Sequence, residues 1–225
     1  LSSLNLSHIS PRYWKVKANS DYETCKEIID SINTDIVVKK DQLCGGKGVT
    51  VQGVDFDNKY DIILDIVDSK NDILIEEKLI GEEFSLMTLC DSENQLHFPP
   101  IRDYKRLNEN DKGVNTGGMG CVIDCNNTLP FLNKYDIYKA EQMNTKILNY
   151  FSNNKQIINV NNTPLSIGYR GILYGSFMKC HDNSIKLIEY NSRFGDPECI
   201  IALELMESNF YEICLELVNY NLRQN

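Results

Sequence analysis

The 225-residue chain carries 23 Lys and Arg against 32 Asp and Glu, a formal charge of −9. That balance argues against a general nucleic-acid or membrane-surface binder, which would present a basic face, yet it allows a locally basic phosphate site. A hydrophobic content of 42% supports one large domain or two small ones, and no apolar run reaches the ~18 residues of a membrane span.

The N-terminus lacks both the basic and the apolar region of a signal peptide, and it lacks an initiating Met, so a fragment or a processed form of a cytoplasmic protein is expected. Eight cysteines, several inside apolar runs such as "LMTLC" and "GSFMKC", are expected to be reduced and mostly buried. Cys121 and Cys125 form CxxxC with no second pair, a poor match to a structural zinc site.

In chain order, "YWKVK" (13–17) alternates as a strand does. Ser20 and Glu23 fit a capping box, followed by a helix with Tyr22, Cys25, Ile28, Ile29 and Ile32 on one face. "DIVVK" (35–39) reads as a buried strand, "KDQLCGGKGV" (40–49) as a glycine-rich loop, and 49–53 as a second strand. A helix over 60–70 and a strand over 72–77 complete a compact α/β unit. "EEFSLMTLC" (82–90) predicts a long strand, and 98–128 an irregular functional loop. A helix is predicted over 134–151, and an Asn-rich surface insertion over 152–166. A hairpin of 171–180 with 184–191 comes next. A last helix begins near Pro197, with Phe210, Ile213, Cys214, Leu217 and Val218 as its packing face.

Four constellations carry chemistry. In "QLCGGKGV", glycines let backbone N–H groups approach an anion, and lysines add charge; a plain tight hairpin is the competing reading. It matches neither G-x-x-x-x-G-K-[ST] nor G-x-G-x-x-G, so the loop would act as a flap joining two strands. "LIEEKLIGEEFS" (74–85) ends a strand with Glu76, Glu77, Lys78 and Leu79 and adds Glu83, a hinge able to bind an adenine and a ribose. "LIEYNSRFGDPE" (187–198) puts Glu189 and Asn191 on one strand face, hard oxygen donors suited to Mg²⁺, with Arg193 just beyond. "RDYKRLNENDKGVNTGGMG" (102–120) is a polar, glycine-rich strap with Arg102, Lys105, Arg106 and Lys112, suited to a sugar phosphate.

Together "IVVKKDQLCGGKGV", "IEEKLIGEEFS", "DYKRLNENDKGVNTGGMG", "GILYGSFM" and "IEYNSRFGDPE" resemble the glycinamide ribonucleotide synthetases through nearly the whole chain, in order. These are the phosphoribosylamine–glycine ligases of purine synthesis, and they are ATP-grasp enzymes. The resemblance implies an α/β (α+β) ATP-grasp fold of two subdomains with ATP between them. Residues 11–77 would be the lid, and 1–10 with 78–225 the larger subdomain. It implies that Lys39, Gly45, Gly46, Lys47 and Gly48 hold phosphates, Glu76, Glu77 and Leu79 the adenine, and Glu83 the ribose. Glu189 and Asn191 would carry Mg²⁺ or Mn²⁺. Asp103, Lys105, Arg106, Asn115, Thr116, Gly117, Gly118 and Arg193 would shape the ribotide and glycine site, with Arg193 as the catalytic residue.

The implied reaction joins glycine to 5-phosphoribosylamine through glycyl phosphate. The alternatives are a nucleotide-binding remnant without ligase activity and another ATP-grasp ligase. Small-molecule substrates are the implied partners, with no nucleic acid and no membrane. Against the family's pattern, Tyr104 replaces a His, Val114 a Pro, Gln42 a Gly and Lys40 a small apolar residue. The family's N- and C-terminal domains have no counterpart here, so the chain is expected to be the ATP-grasp core alone.

Overall fold

The computed structural model describes residues 7–42, 44, 48–110, 112–154, 156–160 and 163–222. Gly45, Gly46 and Lys47, the heart of the predicted flap, lie outside them. The chain divides into two compact units. One comprises the residues up to Ile9, Gly81–Asp103 and Gly120 onward; the other comprises Ser10–Ile80 and Tyr104–Met119. Residues 104–119, which the sequence reading places in the larger subdomain, thus group with 10–80.

In the unit built on 10–80, strands β1 (Tyr13–Val16), β2 (Ile36–Lys40), β3 (Val49–Val51) and β4 (Ile73–Glu77) form one antiparallel sheet in the order β1-β4-β2-β3. Side chains alternate across a strand, so Val16, Ile36, Val38, Ile73 and Ile75 share a face. They pack with Cys25 and Ile29 of helix α1 (Tyr22–Asp30) and with Ile63 and Ile66 of helix α2 (Ile63–Val67). The opposite face carries Val37, Lys39, Leu74 and Glu76.

Two local expectations need correction. Helix α1 is capped not by Ser20 but by Asp21, whose Oδ1 accepts from Thr24 N at 2.8 Å. Helix α2 is five residues long rather than spanning 60–70. Asn58 N donates to Asp61 Oδ2, and Tyr60 N to Asn58 Oδ1, which holds 58–61 in a turn and delays the helix.

In the other unit, β5 (Gly81–Cys90) and β6 (Gln95–His97) join two later strands, β11 (Gly171–Cys180) and β12 (Ile185–Asn191). The sheet order is β12-β11-β5-β6, all antiparallel. Helix α3 (Lys134–Asn153) covers one face, with Ala140, Met143, Ile147 and Leu148 packed in a core with Phe84, Leu86, Leu173 and Phe177. The buried Asn144 fixes its height by donating to Leu86 O at 3.2 Å. Asp136 closes a capping box with Asn133 and receives Lys179 Nζ at 2.7 Å, tying the helix start to β11. Gly81 is required where β5 meets β11, because a Cβ there would overlap the Lys179 carbonyl.

The predicted irregular loop over 98–128 is instead largely a hairpin of β7 (Arg102–Asn108) and β8 (Lys112–Val122). Asn110 supports the turn with φ of 59°. The predicted insertion at 152–166 also contains a hairpin, β9 (Gln156–Val160) paired with β10 (Thr163–Ile167). The single final helix becomes two, α4 (Glu198–Glu204) and α5 (Phe210–Asn219).

All eight cysteines are free, but Cys25, Cys90 and Cys180 alone are fully buried, fewer than expected. Burial first, then the nearby Glu198 and Asp103 charges, pushes the Cys121 thiol up to about 11, so it stays protonated at neutral pH.

Candidate functional site

The open face of the β1–β4 sheet presents Lys39. Its partner across the ladder is Leu74, and Glu76 sits two residues on, so Lys39 Nζ reaches Glu76 Oε2 at 2.7 Å. The neighbouring Glu77 turns to Arg12, whose Nε lies 2.7 Å from Oε2 and whose backbone N donates to Oε1 at 3.0 Å. Lys78 Nζ donates to Gln52 O at 2.6 Å. The hinge charges predicted to meet adenine therefore engage protein partners, and Leu79 beside them is half-buried. Gly48 O accepts from Lys40 N at 3.0 Å, which closes the loop base on β2.

The same unit holds most of the strap. Thr116 Oγ1 donates to Lys105 O at 2.8 Å and accepts from Gly118 N at 3.2 Å, so this hydroxyl knits the hairpin together. Gly117 is exposed, and a Cβ there would meet nothing within 4 Å. Lys105 and Asn115 are half-buried. Arg106 is engaged by Asp55, through Nη1 to Oδ1 at 3.0 Å and Nη2 to Oδ2 at 3.3 Å, and donates to Gly113 O. Tyr104 and Val114 both face solvent, at 39% and 64% exposure.

In the other unit, the face of the β5–β11–β12 sheet away from α3 is apolar where Met87, Leu89, Ile172 and Tyr174 pack with α4 and α5, and polar beyond them. Register places Ser85 opposite Ser176, and Ser176 opposite Glu189. Ser176 Oγ donates to Glu83 Oε1 at 2.9 Å, and Asn191 Nδ2 donates to Glu189 Oε1 at 3.0 Å. Glu83, Ser176, Glu189 and Asn191 thus line one face, as the spacing of Glu189 and Asn191 predicts. With Asn191 Nδ2 turned inward on Glu189, the Asn191 Oδ1 and Glu189 Oε2 remain as hard oxygen donors, a set that fits a Mg²⁺ ion completed by phosphate oxygens. Among the described residues no group of three or more His, Cys, Asp and Glu is placed to hold a metal.

Arg193 is exposed just past β12 and donates Nη1 to Phe194 O at 2.8 Å. Asp103, at the hairpin base, is half-buried, and its charge is felt by Cys121. Five positions after Arg193 comes a residue to which the sequence assigns no role. Glu198 is 1% exposed and accepts from Tyr174 OH at 2.7 Å. Burial, followed by the Glu198 charge, holds that phenol far above its ordinary range. Ser176 was also missed. Its signal was its alternation with Tyr174 in "GILYGSFM", which puts both on the face away from α3.

Two antiparallel units of these strand orders, the first sheet backed by α1 and α2 and the second packed by α3 on one face and by α4 and α5 on part of the other, define an ATP-grasp fold of the α+β class. Similarity in structure to a D-alanyl-alanine synthetase A from Vibrio cholerae, at TM-score 0.67 over 98% of this chain and 63% of that one, bears on the fold alone at 13% identity. The chain belongs to the family described as phosphoribosylglycinamide synthetase, ATP-grasp (A) domain, whose model matches residues 7–199. Its curated relatives include the phosphoribosylamine–glycine ligase of Methanothermobacter thermautotrophicus, 37% identical over 91% of this chain and 46% of the relative. The enzyme of that name from Methanococcus maripaludis is also 37% identical, over 92% of this chain and 46% of the relative. The crystal structure of the Thermotoga maritima phosphoribosylamine–glycine ligase superposes with TM-score 0.75 at 28% identity, covering 99% of this chain and 54% of that one. The chain therefore spans about half the length of the relatives it matches.

Proposed function

We propose that this chain is the ATP-grasp portion of a cytoplasmic phosphoribosylamine–glycine ligase. The observation that carries the reading is the pair of side-chain hydrogen bonds, Ser176 to Glu83 and Asn191 to Glu189, on one sheet face with Ser176 in register with Glu189, within a chain whose relatives bear that activity in their names. In this reading a glycine carboxylate oxygen attacks the γ-phosphorus of ATP and ADP leaves. The amine of 5-phosphoribosylamine then attacks the acyl carbon, phosphate departs, and the amine loses a proton to give glycinamide ribonucleotide.

The protein's part is positioning and charge neutralisation rather than covalent attack. Residues 11–77 serve as the lid subdomain. Lys39 and Lys47 take phosphate oxygens, with the backbone of Gly45, Gly46 and Gly48 beside them, and Glu83 takes the ribose hydroxyls. Glu76 and Glu77 already have cationic partners, so the adenine is read by the hinge backbone as far as Leu79. Glu189 and Asn191 would hold Mg²⁺, which lowers the repulsion between nucleophile and phosphate. Asp103, Lys105, Asn115, Thr116, Gly117 and Gly118 present the strap to glycine and the ribotide, and Arg193 takes a carboxylate or phosphate.

Calorimetric titration of the folded chain with Mg·ATP tests this directly. Saturable binding below millimolar nucleotide is expected, and its absence would overturn the reading. Ligation is expected to be slow in this chain by itself. Turnover near ~10 s⁻¹, the median for enzymes, would show that the remaining half of the relatives' length is dispensable. Nucleotide binding with no ligation, even when that half is supplied, would instead identify a binding remnant.

A further inference from the structure

Asp55 and Arg106 are 51 positions apart in sequence, yet they form a two-pronged pair with both carboxylate oxygens engaged. Their side chains are 24% and 13% exposed, which shelters the pair from solvent. Asp55 is fixed from below: its N donates to Val51 O at 2.8 Å, and its Oδ2 accepts from Val51 N at 2.8 Å. Val51 ends β3, the edge strand that leads directly out of the glycine-lysine loop and pairs with β2, which bears Lys39. Arg106 is fixed from above, since Nη1 also donates to Gly113 O on the opposing strand of the strap. A continuous set of bonds therefore runs from β2 through β3 and Asp55 to both strands of the 104–119 hairpin. This is the hairpin that groups with residues 10–80 rather than with the strands flanking it in sequence.

We propose that the Asp55–Arg106 pair is a clasp that makes the strap a rigid extension of the nucleotide-binding unit, with Arg106 a positioning residue rather than a ligand of the ribotide. This rests on the nucleotide reading above. Planar guanidinium and carboxylate match in two contacts, so the clasp fixes orientation as well as distance. Its consequence is order: binding of nucleotide phosphates at β2 and the loop sets the strap for the second substrate.

Hydrogen exchange of the folded chain with and without Mg·ATP tests this, comparing wild type with Asp55→Asn, Asp55→Glu and the exchanged pair Asp55→Arg with Arg106→Asp. Asn keeps an acceptor for Val51 N while removing the charge, so the turn survives. Even without nucleotide, Asp55→Asn should speed exchange in 104–119 roughly tenfold or more, the loss expected for a charge-assisted hydrogen bond, with α1 unaffected. With Mg·ATP, wild type should gain protection in both 36–40 and 104–119, and Asp55→Asn in 36–40 alone. Asp55→Glu and the exchanged pair should restore part of the strap response. If Asp55→Asn leaves exchange in 104–119 unchanged, or if exchange rises equally throughout 10–80, the clasp is refuted. If Mg·ATP protects nothing in wild type while the nucleotide-free effect is present, the clasp stands and the nucleotide reading fails.

Discussion

Lys39 Nζ lies 2.7 Å from Glu76 Oε2 across β2 and β4, with 17% and 12% of the two side chains exposed. Each charge is sheltered enough to depend on the other, because a partner removed from a half-buried pair leaves an unsatisfied group. Lys39→Met should therefore lower the free energy of unfolding by about 1–3 kcal/mol, read from urea denaturation. It should also weaken Mg·ATP binding by roughly tenfold or more, as loss of a charge-assisted contact does. Unchanged nucleotide affinity in a folded Lys39→Met variant would make Lys39 a structural partner of Glu76 and nothing further.

Glu189 is exposed, and Asn191, half-buried, donates to it at 3.0 Å. Surface changes of this kind usually alter stability by no more than about 0.5 kcal/mol. The double change Glu189→Gln with Asn191→Ala is expected to keep the melting temperature while abolishing the dependence of ATP affinity on Mg²⁺. Calorimetry at fixed ATP with and without Mg²⁺ separates the two effects. A retained Mg²⁺ dependence would place the metal elsewhere.

Much of the fold was legible because it is written in apolar alternation. Ile36 and Val38, Ile73 and Ile75, and the run from Phe84 to Cys90 announce their strands, and the Glu189–Asn191 spacing announces their common face. Strands β7 and β8 were missed because neither buries an apolar side; residues such as Lys105, Asn108, Lys112 and Asn115 give no period to read. The partners of the site residues were illegible for another reason. Arg12 meets Glu77 across 65 positions and Arg106 meets Asp55 across 51, and no local pattern encodes either pairing. The Asn58–Asp61 turn that shortens α2 shows the opposite case, in which short-range side-chain bonds override a helical period.

His97 makes stability depend on pH. His97 Nδ1 lies 2.8 Å from Thr88 Oγ1, which also accepts from Asn144 Nδ2 at 3.0 Å, and His97 Nε2 lies 3.4 Å from Thr145 Oγ1. Burial lowers its pKa from 6.5. A group depressed in the folded state contributes fully above its unfolded value and loses that contribution as pH falls through the folded value. Stability should thus fall as pH drops below about 6.5, and His97→Gln should flatten this slope. Urea midpoints at pH 7.5 and 5 check it; equal slopes in the two proteins would assign the dependence to other groups.

Gly195 sits where two side chains leave no space. A Cβ there would lie 2.5 Å from Tyr174 Cε2 and 2.6 Å from Glu198 Oε2, both belonging to the buried pair joined at 2.7 Å. Its N–H already points at Met87 Sδ, 3.5 Å away, so the backbone is held from the other side. Gly195→Ala must push Tyr174 and Glu198 apart or lift the 193–196 turn that carries Arg193. Overpacking of this kind costs about 1–3 kcal/mol, and each kcal/mol lowers the melting temperature of a domain this size by roughly 2–4 °C. Tyr174→Phe tests the pair from its other end. It keeps the ring but strands a buried carboxylate, at a cost of at least about 1–3 kcal/mol. Urea denaturation of both variants checks this; a loss in Tyr174→Phe within about 0.5 kcal/mol of zero would mean that the hydroxyl–carboxylate bond contributes nothing beyond packing.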